Sequence, residues 1–198
     1  MQIATNTKYV SPNPIAKALV RRFFASVRDA CRAARDACAV LDVGSGEGVV
    51  LREALLEVVR PRCLVAVDIS LRDLGCCAAN VPLARLAIAS GYNLPFPARS
   101  FDLVMCCEVL EHVPDPRDFL SELARVASKW LVLSVPHEPL WRALNCARGR
   151  YVSDLGNTPG HLNHWSRAGF TALVQAVGLR VVRVFAPLPW TVVVARTR

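Results

Sequence analysis

Short apolar runs alternate with amphipathic stretches along most of the chain. Runs of four to eight apolar residues bounded by turn residues are typical of strands that are buried on both faces. They predict seven strands, at 39–43, 63–68, 85–89, 101–106, 130–135, 180–185 and 190–196. Apolar residues at helical spacing predict helices between them, within 12–37 and at 48–59, 71–79, 116–127 and 167–177. The segment 137–165 is expected to be irregular or partly helical.

This order of elements predicts an α/β fold. Strands that alternate with helices form parallel sheets, because each helix crosses over one face and returns the chain to the same edge. The last two strands follow each other through Pro187 and Pro189, so one of them should run antiparallel. We therefore expect a doubly wound, Rossmann-like, seven-stranded sheet, mostly parallel with one antiparallel strand and with helices on both faces.

A glycine-rich turn follows the first predicted strand. Residues 41–48 read Leu-Asp-Val-Gly-Ser-Gly-Glu-Gly, and a second strand ends in Val-Asp-Ile-Ser at 67–70. Glycines allow a tight turn close to a ligand, and the helix after them presents unpaired N–H groups. An acid at the tip of the second strand suits the two hydroxyls of a ribose. The pair predicts a cofactor that contains adenosine.

The details of the motif select among such cofactors. The dinucleotide motif needs a third glycine three positions after the second, but Val49 stands there, and no Gly-Lys-Ser/Thr of a phosphate loop follows. Asp42 would repel a pyrophosphate, yet it suits the ammonium group of an amino acid. The pattern therefore predicts S-adenosylmethionine, with Asp42 near its methionine end and Asp68 on its ribose.

Three further segments extend the pattern: Leu94–Pro97 with Ser100–Asp102, Phe101–Val113, and Gly160–Ser166. With them the chain, from about residue 38 to its end, resembles the class I S-adenosylmethionine-dependent methyltransferases, in the branch that includes ubiquinone-biosynthesis O-methyltransferases. One departure is Ala89-Ser90-Gly91, where the family usually has an acid that meets adenine. The resemblance and the converging strand ends imply a set of cofactor-binding residues: Asp42, Gly44, Ser45, Gly46, Asp68, Ile69, Gly91, Tyr92 and Cys107.

The resemblance also implies the reaction, an in-line methyl transfer to a small-molecule acceptor, at oxygen. His112 is a candidate general base, since its ordinary pKa is about 6.5, or it fixes its loop together with Glu111. Glu108 either orients the acceptor or caps the following turn. His137, His161 and His164 are candidate substrate contacts, and for His161 and His164 helix capping is the alternative.

Glu108, Glu111 and His112 also form a Glu-x-x-Glu-His pattern. A similar pattern in ubiquinone-type and RNA 2′-O-methyltransferases binds a divalent ion, with a later histidine as fourth ligand. His161 or His164 would take that place here. We favour the metal-free interpretation, because relatives with Glu-His and no metal are common.

The composition indicates the cellular compartment in which the protein is expected. The hydrophobic fraction is 53% and mean hydropathy is +0.31, yet no apolar run approaches the ~18–20 residues of a membrane span. The first residues do not read as a signal peptide. The eight cysteines form no Cys-x-x-Cys, which favours free thiols in a reducing compartment. We expect a cytoplasmic protein.

Charge is unevenly distributed within a formal net charge of +8. Residues 1–38 and 136–198 are basic, whereas residues 39–135 are mildly acidic. An anionic substrate is one interpretation, and solvated arginine-rich surfaces are the other. Two alternatives to a small-molecule enzyme stay open: an RNA methyltransferase, which is not favoured, and a non-catalytic binding protein of the same fold. The sequence does not predict the oligomeric state.

One domain is expected over residues 1–198. It would comprise an N-terminal helical cover (1–37), a cofactor-binding half (38–135) and a substrate-side half (136–198) whose cover segment is 137–165.

Overall fold

A seven-stranded sheet forms the centre of the computed structural model, which describes residues 13–138, 140–147, 149 and 154–198. Its strands are β1 (Ala39–Val43), β2 (Cys63–Asp68), β3 (Arg85–Ile88), β4 (Phe101–Cys107), β5 (Ala127–Pro136), β6 (Arg180–Phe185) and β7 (Trp190–Arg196). The spatial order is β3-β2-β1-β4-β5-β7-β6. Only β7 runs antiparallel to its neighbours, on both of its sides. The predicted fold class is confirmed.

The described residues form six α-helices around the sheet: α1 (Pro14–Cys31), α2 (Val49–Glu53), α3 (Leu71–Asn80), α4 (Pro116–Val126), α5 (Leu140–Ala147) and α6 (Arg167–Ala176). Most ends lie close to the predicted ones. The predicted helix 48–59 is instead broken after Glu53 into α2 and a 3-10 turn, Leu55–Glu57. The break keeps Leu55 and Val59 fully buried.

Local signals explain where several elements begin. Asn13 caps α1 by accepting a hydrogen bond from the Ile15 N–H at 2.8 Å, and Pro14 occupies the first turn. Asp115 caps α4 in the same way, followed by Pro116. The carboxylate of Asp102 accepts from the N–H groups of Cys38 and Ala39 at 2.8 and 2.9 Å, which ties the start of β1 to β4.

Two apolar cores lie on opposite faces of the sheet. Helices α1, α2 and α3 pack on one face, with Phe23 and Leu51 among the fully buried residues. Helices α4 and α6 pack on the other, where Leu120 and Phe170 are fully buried. The described part of α1 is therefore a layer of the core, and residues 1–12 of the predicted N-terminal cover lie outside the described residues. Within the described residues, each helix is too short or too polar to traverse a lipid bilayer.

Replacing Phe23 with alanine should test whether α1 belongs to the core. The Phe23 ring is fully buried, with its centroid 4.9 Å from that of Trp190. Its loss should lower the free energy of unfolding by about 3–5 kcal/mol, as for other buried phenylalanines. Urea titration measures this change. Arg22→Ala, at the exposed neighbouring position, is the control and should change stability by less than ~0.5 kcal/mol; similar losses in both variants would contradict the assignment.

Candidate functional site

A cleft of about 520 Å³ opens at the carboxyl ends of the parallel strands. It lies between β1 and β4, where the order of the strands in the sheet reverses. This is the place where parallel α/β sheets usually bind ligands. Segments after four strands line it, namely 43–47, 68–69, 89–92 and 107–109, together with Val49, Val50, His112, Val113, Pro114 and Phe119. Every predicted cofactor-binding residue except Asp42 belongs to this lining.

The glycine turn is held on the tip of β2. The N–H groups of Gly44 and Ser45 both donate to the Val67 carbonyl, at 2.8 and 3.0 Å. Gly44 has a φ of 73°, and a Cβ there would collide with the side chain of Val109. A side chain at this position would therefore be strained in two ways, by its backbone conformation and by Val109.

Asp68 joins the turn to the next helix. Its Oδ2 accepts from the Gly46 N–H at 2.8 Å, and its Oδ1 accepts from the Ser70 N–H at 2.9 Å. Ser70 in turn caps α3, since its hydroxyl accepts from the Asp73 N–H. The Asp68 carboxylate is thus fixed at the mouth of the cleft while remaining partly exposed.

Asp42 lies in β1 and is only 3% exposed. Burial, and secondarily the negative charge of Asp68, raises its pKa from 3.8 to about 7. The Asp42 carboxyl group is therefore mostly protonated at acidic pH and ionises near pH 7. The structure places it just outside the cleft lining, two residues before Gly44.

Aromatic side chains shape the far wall of the cleft. The Tyr92 ring meets the edge of Phe119, with centroids 5.1 Å apart, and the Tyr92 hydroxyl accepts from the Asp115 N–H. A Cβ on Gly91 would collide with the edge of the Phe119 ring. Ile69 is 78% exposed at the cleft edge, so it offers apolar surface to a ligand. Sequence reasoning missed Phe119, which lies 28 residues beyond Gly91 and carries no motif.

His112 faces the same cleft from the 3-10 turn that follows β4. Its Nδ1 lies 2.9 Å from the Gly160 carbonyl oxygen. Since a carbonyl only accepts, we assign the ring proton to Nδ1. In the neutral ring Nε2 is then an acceptor, and it lies 3.9 Å from an oxygen of Glu111.

The segment 160–163 clamps this turn. The N–H groups of Leu162 and Asn163 donate to the Glu111 carbonyl at 2.8 and 3.1 Å. The Asn163 side chain donates to the carbonyls of Leu110 and Val113 at 3.2 and 2.7 Å. The backbone around His112 is therefore positioned by residues about 50 positions later. Asn163 was not among the predicted site residues, although it lies within the Gly160–Ser166 motif.

Glu108 lines the cleft, but its carboxylate is engaged inside the protein. One oxygen accepts from the Ser134 hydroxyl at 3.1 Å and the other from the Trp190 indole N–H at 2.7 Å. These bonds connect β4 with β5 and β7. They support a role in holding the wall, and the predicted role in orienting an acceptor stays a prediction.

The three predicted substrate histidines separate in the structure. His161 is buried beside His112, with ring centroids 4.9 Å apart, and it stacks at 6.2 Å on Trp141. The Nε2 of His164 instead contacts the Asn157 side chain at 2.7 Å. His137 pairs through its backbone with Trp165, and burial, followed by the charge of Arg167, lowers its pKa. Only His161 of the three lies against His112.

Three of these side chains form a compact donor group. One ligand atom from each of Glu111, His112 and His161 lies within 4.8 Å of the other two. Glu108 and His164, which the sequence pattern also offered as ligands, are not part of this group. Imidazole and carboxylate ligands suit a divalent ion such as Zn²⁺ or Mn²⁺.

The thiols near the cleft are poor nucleophiles. Burial raises the pKa of both Cys106 and Cys107 well above the ordinary value, and nearby Asp42 raises it further. A thiolate is the reactive form of cysteine, so both side chains stay protonated near neutral pH. All eight cysteines lie among the described residues, and each is a free thiol.

Known proteins share both sequence and architecture with this chain. The family profile described as "Methyltransferase domain" matches residues 41–130. The ubiquinone biosynthesis O-methyltransferase of Azotobacter vinelandii is 30% identical over 168 residues, which cover 71% of this chain and 67% of that protein. The corresponding protein of Erwinia tasmaniensis is 30% identical over 153 residues, 64% of this chain. The chain spans only 58% of the length of the Erwinia protein.

The fold comparison agrees. The crystal structure of magnesium protoporphyrin IX methyltransferase from Synechocystis with bound S-adenosylhomocysteine superimposes with a TM-score of 0.69 at 19% identity, over 99% of this chain and 91% of that one. The chain belongs to the class I S-adenosylmethionine-dependent methyltransferases.

The raised pKa of Asp42 predicts how stability depends on pH. Between pH ~4 and ~7 the folded protein holds a proton that the unfolded chain has released, so the free energy of unfolding should fall as pH rises through this window. A difference from 3.8 to about 7 corresponds to about 4 kcal/mol across the whole window, at roughly 1.4 kcal/mol per pKa unit. Asp42→Asn should remove this part of the slope and make the cofactor-free protein more stable at pH 8.

Urea unfolding at pH 4.5, 6 and 8 measures the effect. Asp36→Asn, at a side chain that is 91% exposed, is the matched control and should keep the wild-type slope. An unchanged slope in Asp42→Asn would mean that the Asp42 carboxyl is already ionised in the folded protein.

Proposed function

We propose that this protein transfers a methyl group from S-adenosylmethionine to a small-molecule acceptor, at an oxygen atom. The observation that carries the proposal is the fixed Asp68 carboxylate beside the Gly44–Gly46 turn, in the same cleft as His112. The curated relatives support oxygen as the acceptor atom, since their names are those of O-methyltransferases.

The residues of the cleft fit this cofactor. The partly exposed Asp68 carboxylate suits the ribose hydroxyls, and Ile69, Gly91 and Tyr92 offer an apolar wall for adenine. The Gly44–Gly46 turn leaves room for the amino acid end, and Cys107 contributes to the wall beyond it. Asp42 is the nearest buried carboxyl to that turn in sequence, and ionised Asp42 would favour an ammonium group through Coulomb attraction.

Cofactor affinity should therefore fall as pH drops below about 7, where Asp42 is protonated.

The bound cofactor would supply an electrophilic methyl group and a good leaving group. The protein's part is to hold the acceptor in line and to accept its proton. His112 is suited to the second task, because its Nε2 is left as an acceptor when Nδ1 donates to Gly160. Behind His112 lie the buried ring of His161 and, stacked on it, that of Trp141, which support the position of His112 rather than line the cleft.

Substitution of Asp68 tests the cofactor site. Asp68→Ala should weaken binding of S-adenosylhomocysteine by one or two charge-assisted hydrogen bonds, roughly 1.5–3 kcal/mol each. Isothermal titration calorimetry measures this loss, with Asp36→Ala as the exposed control. Unchanged affinity in Asp68→Ala would remove the ribose assignment, and an absence of binding to the wild-type protein would leave the non-catalytic alternative.

Catalysis needs its own assay. The protein with radiolabelled S-adenosylmethionine should label phenols or catechols from an acceptor panel, and His112→Ala should lower kcat by about 10²–10⁴-fold if it is the base. Cofactor affinity should be retained in this variant. Loss of activity together with loss of cofactor binding would instead indicate that His112 only supports the loop.

A metal-assisted form of the reaction is a second candidate, favoured by the Glu111, His112 and His161 group. These residues would hold a divalent ion that orients the acceptor oxygen and lowers its pKa. The donation from His112 Nδ1 to a backbone carbonyl is typical of histidines that bind metal through Nε2.

Chelation distinguishes the two forms. If a metal takes part, EDTA should abolish activity, and Glu111→Gln should lose both activity and the Mn²⁺ binding seen by calorimetry or paramagnetic resonance. Glu47→Gln, which changes a carboxylate of the cleft lining that is not part of this donor group, should retain Mn²⁺ binding. Full activity after EDTA treatment would leave only the metal-free form, in which His112 acts alone.

The remaining expectations stay predictions. RNA methylation predicts an RNA affinity that falls steeply with salt concentration. An anionic acceptor and a cytoplasmic location, together with the single-domain arrangement over residues 1–198, are kept as parts of the proposal.

A further inference from the structure

A second cleft lies at the other end of the sheet. Its volume is about 600 Å³, within the range of small-molecule sites. It forms where β6 begins and antiparallel β7 ends, so it lies at the end of the sheet opposite to the cofactor cleft. Its lining consists of Gln175, Leu179, Arg180, Val181, Arg196, Thr197 and Arg198.

Three arginines and no acid line this cleft. Arg180 and Arg196 are direct cross-strand partners in the β6–β7 pair, and like charges in such positions destabilise a sheet. Among the described residues, none of the three arginines makes an ion pair. The cluster therefore concentrates positive side-chain charge that no acidic side chain of the described residues neutralises.

One of these side chains is already positioned. The Arg196 guanidinium lies over the Trp130 ring, 4.8 Å from its centroid, and Trp130 is its cross-strand partner on β5. Stacking holds the plane of a guanidinium while its N–H groups remain able to donate at the edge. A guanidinium presented in this way matches the oxygens of a phosphate group.

Much of the positive charge of the C-terminal third lies near this second cleft. Residues 136–198 contain eight arginines, and four of them, at 180, 183, 196 and 198, lie on β6, on β7 or just after it. Half of the arginines of this segment thus lie on or next to the β6–β7 pair, and none of them lines the cleft that contains His112.

We propose that this cleft binds the phosphate group of a small phosphorylated molecule. A phosphate dianion between Arg180 and Arg196 would replace repulsion between two cations by attraction to each. Its three free oxygens can serve all three guanidiniums. The cleft is much larger than one phosphate, and Leu179, Val181 and Gln175 offer apolar and amide surface to the organic part of the ligand. This site does not depend on the methyl-transfer reaction.

Calorimetry with pyrophosphate and with glycerol 3-phosphate tests the site in the full-length protein at 150 mM NaCl. The wild type should bind at one saturable site, and Arg180→Gln and Arg196→Gln should each weaken binding about tenfold, as expected for loss of one charge-assisted contact. Arg183→Gln is the matched control. It removes the same charge from β6, but its guanidinium stacks on Phe185 at 4.5 Å and does not line the cleft.

Absence of saturable binding to the wild type would overturn the proposal. Equal weakening by all three substitutions would also overturn it, because the effect would then come from overall charge. S-adenosylhomocysteine affinity, measured in the same samples, should be unchanged in every variant. It reports separately on the methyltransferase proposal and on whether each variant is folded.

Discussion

The attachment of the glycine turn to the tip of β2 is the contact on which the cofactor cleft depends. Four backbone N–H groups, those of Gly44, Ser45, Gly46 and Ser70, are satisfied by the Val67 carbonyl and the Asp68 carboxylate. Buried N–H groups need such partners, so the turn has few alternative paths. The same bonds leave Asp68 facing the cleft. One carboxylate thus organises the loop and presents its charge to a ligand.

The charge of Asp68 makes the ionised form of the buried Asp42 less stable. A second carboxylate close to Asp68, and almost fully buried, is disfavoured in its ionised form. In the cofactor site that we propose, a bound ammonium group would relieve that penalty, and cofactor binding would then be coupled to the ionisation of Asp42. On this proposal, the stability of the cofactor-free protein favours protonated Asp42, whereas cofactor binding favours ionised Asp42. Such a conflict between stability and function is common at functional sites.

Sequence reasoning succeeded where the signal is local. The strands, the turn at 44–46 and Asp68 are each defined by a few neighbouring residues, and the alternation of elements then fixes the topology. It failed where contacts join distant segments. Glu108 meets Trp190 across 82 positions, and Asn163 binds carbonyls about 50 positions earlier. No spacing rule relates such residues, so the roles of Trp190 and Asn163 became visible only in the structure.

The same limit applies to charge. The sequence showed that the C-terminal third is basic, and both an anionic substrate and a solvated arginine-rich surface were interpretations of that charge. The antiparallel β7 returns Arg196 to the end of the sheet opposite to His112 and places it beside Arg180. A strand in the other direction would have carried Arg196 to the side of the first cleft, so the orientation of β7 determines at which end of the sheet this charge lies. Topology, rather than composition, therefore separates two chemically different clefts: the first is lined by the carboxylates of Glu47, Asp68 and Glu108, and the second is lined by three arginines.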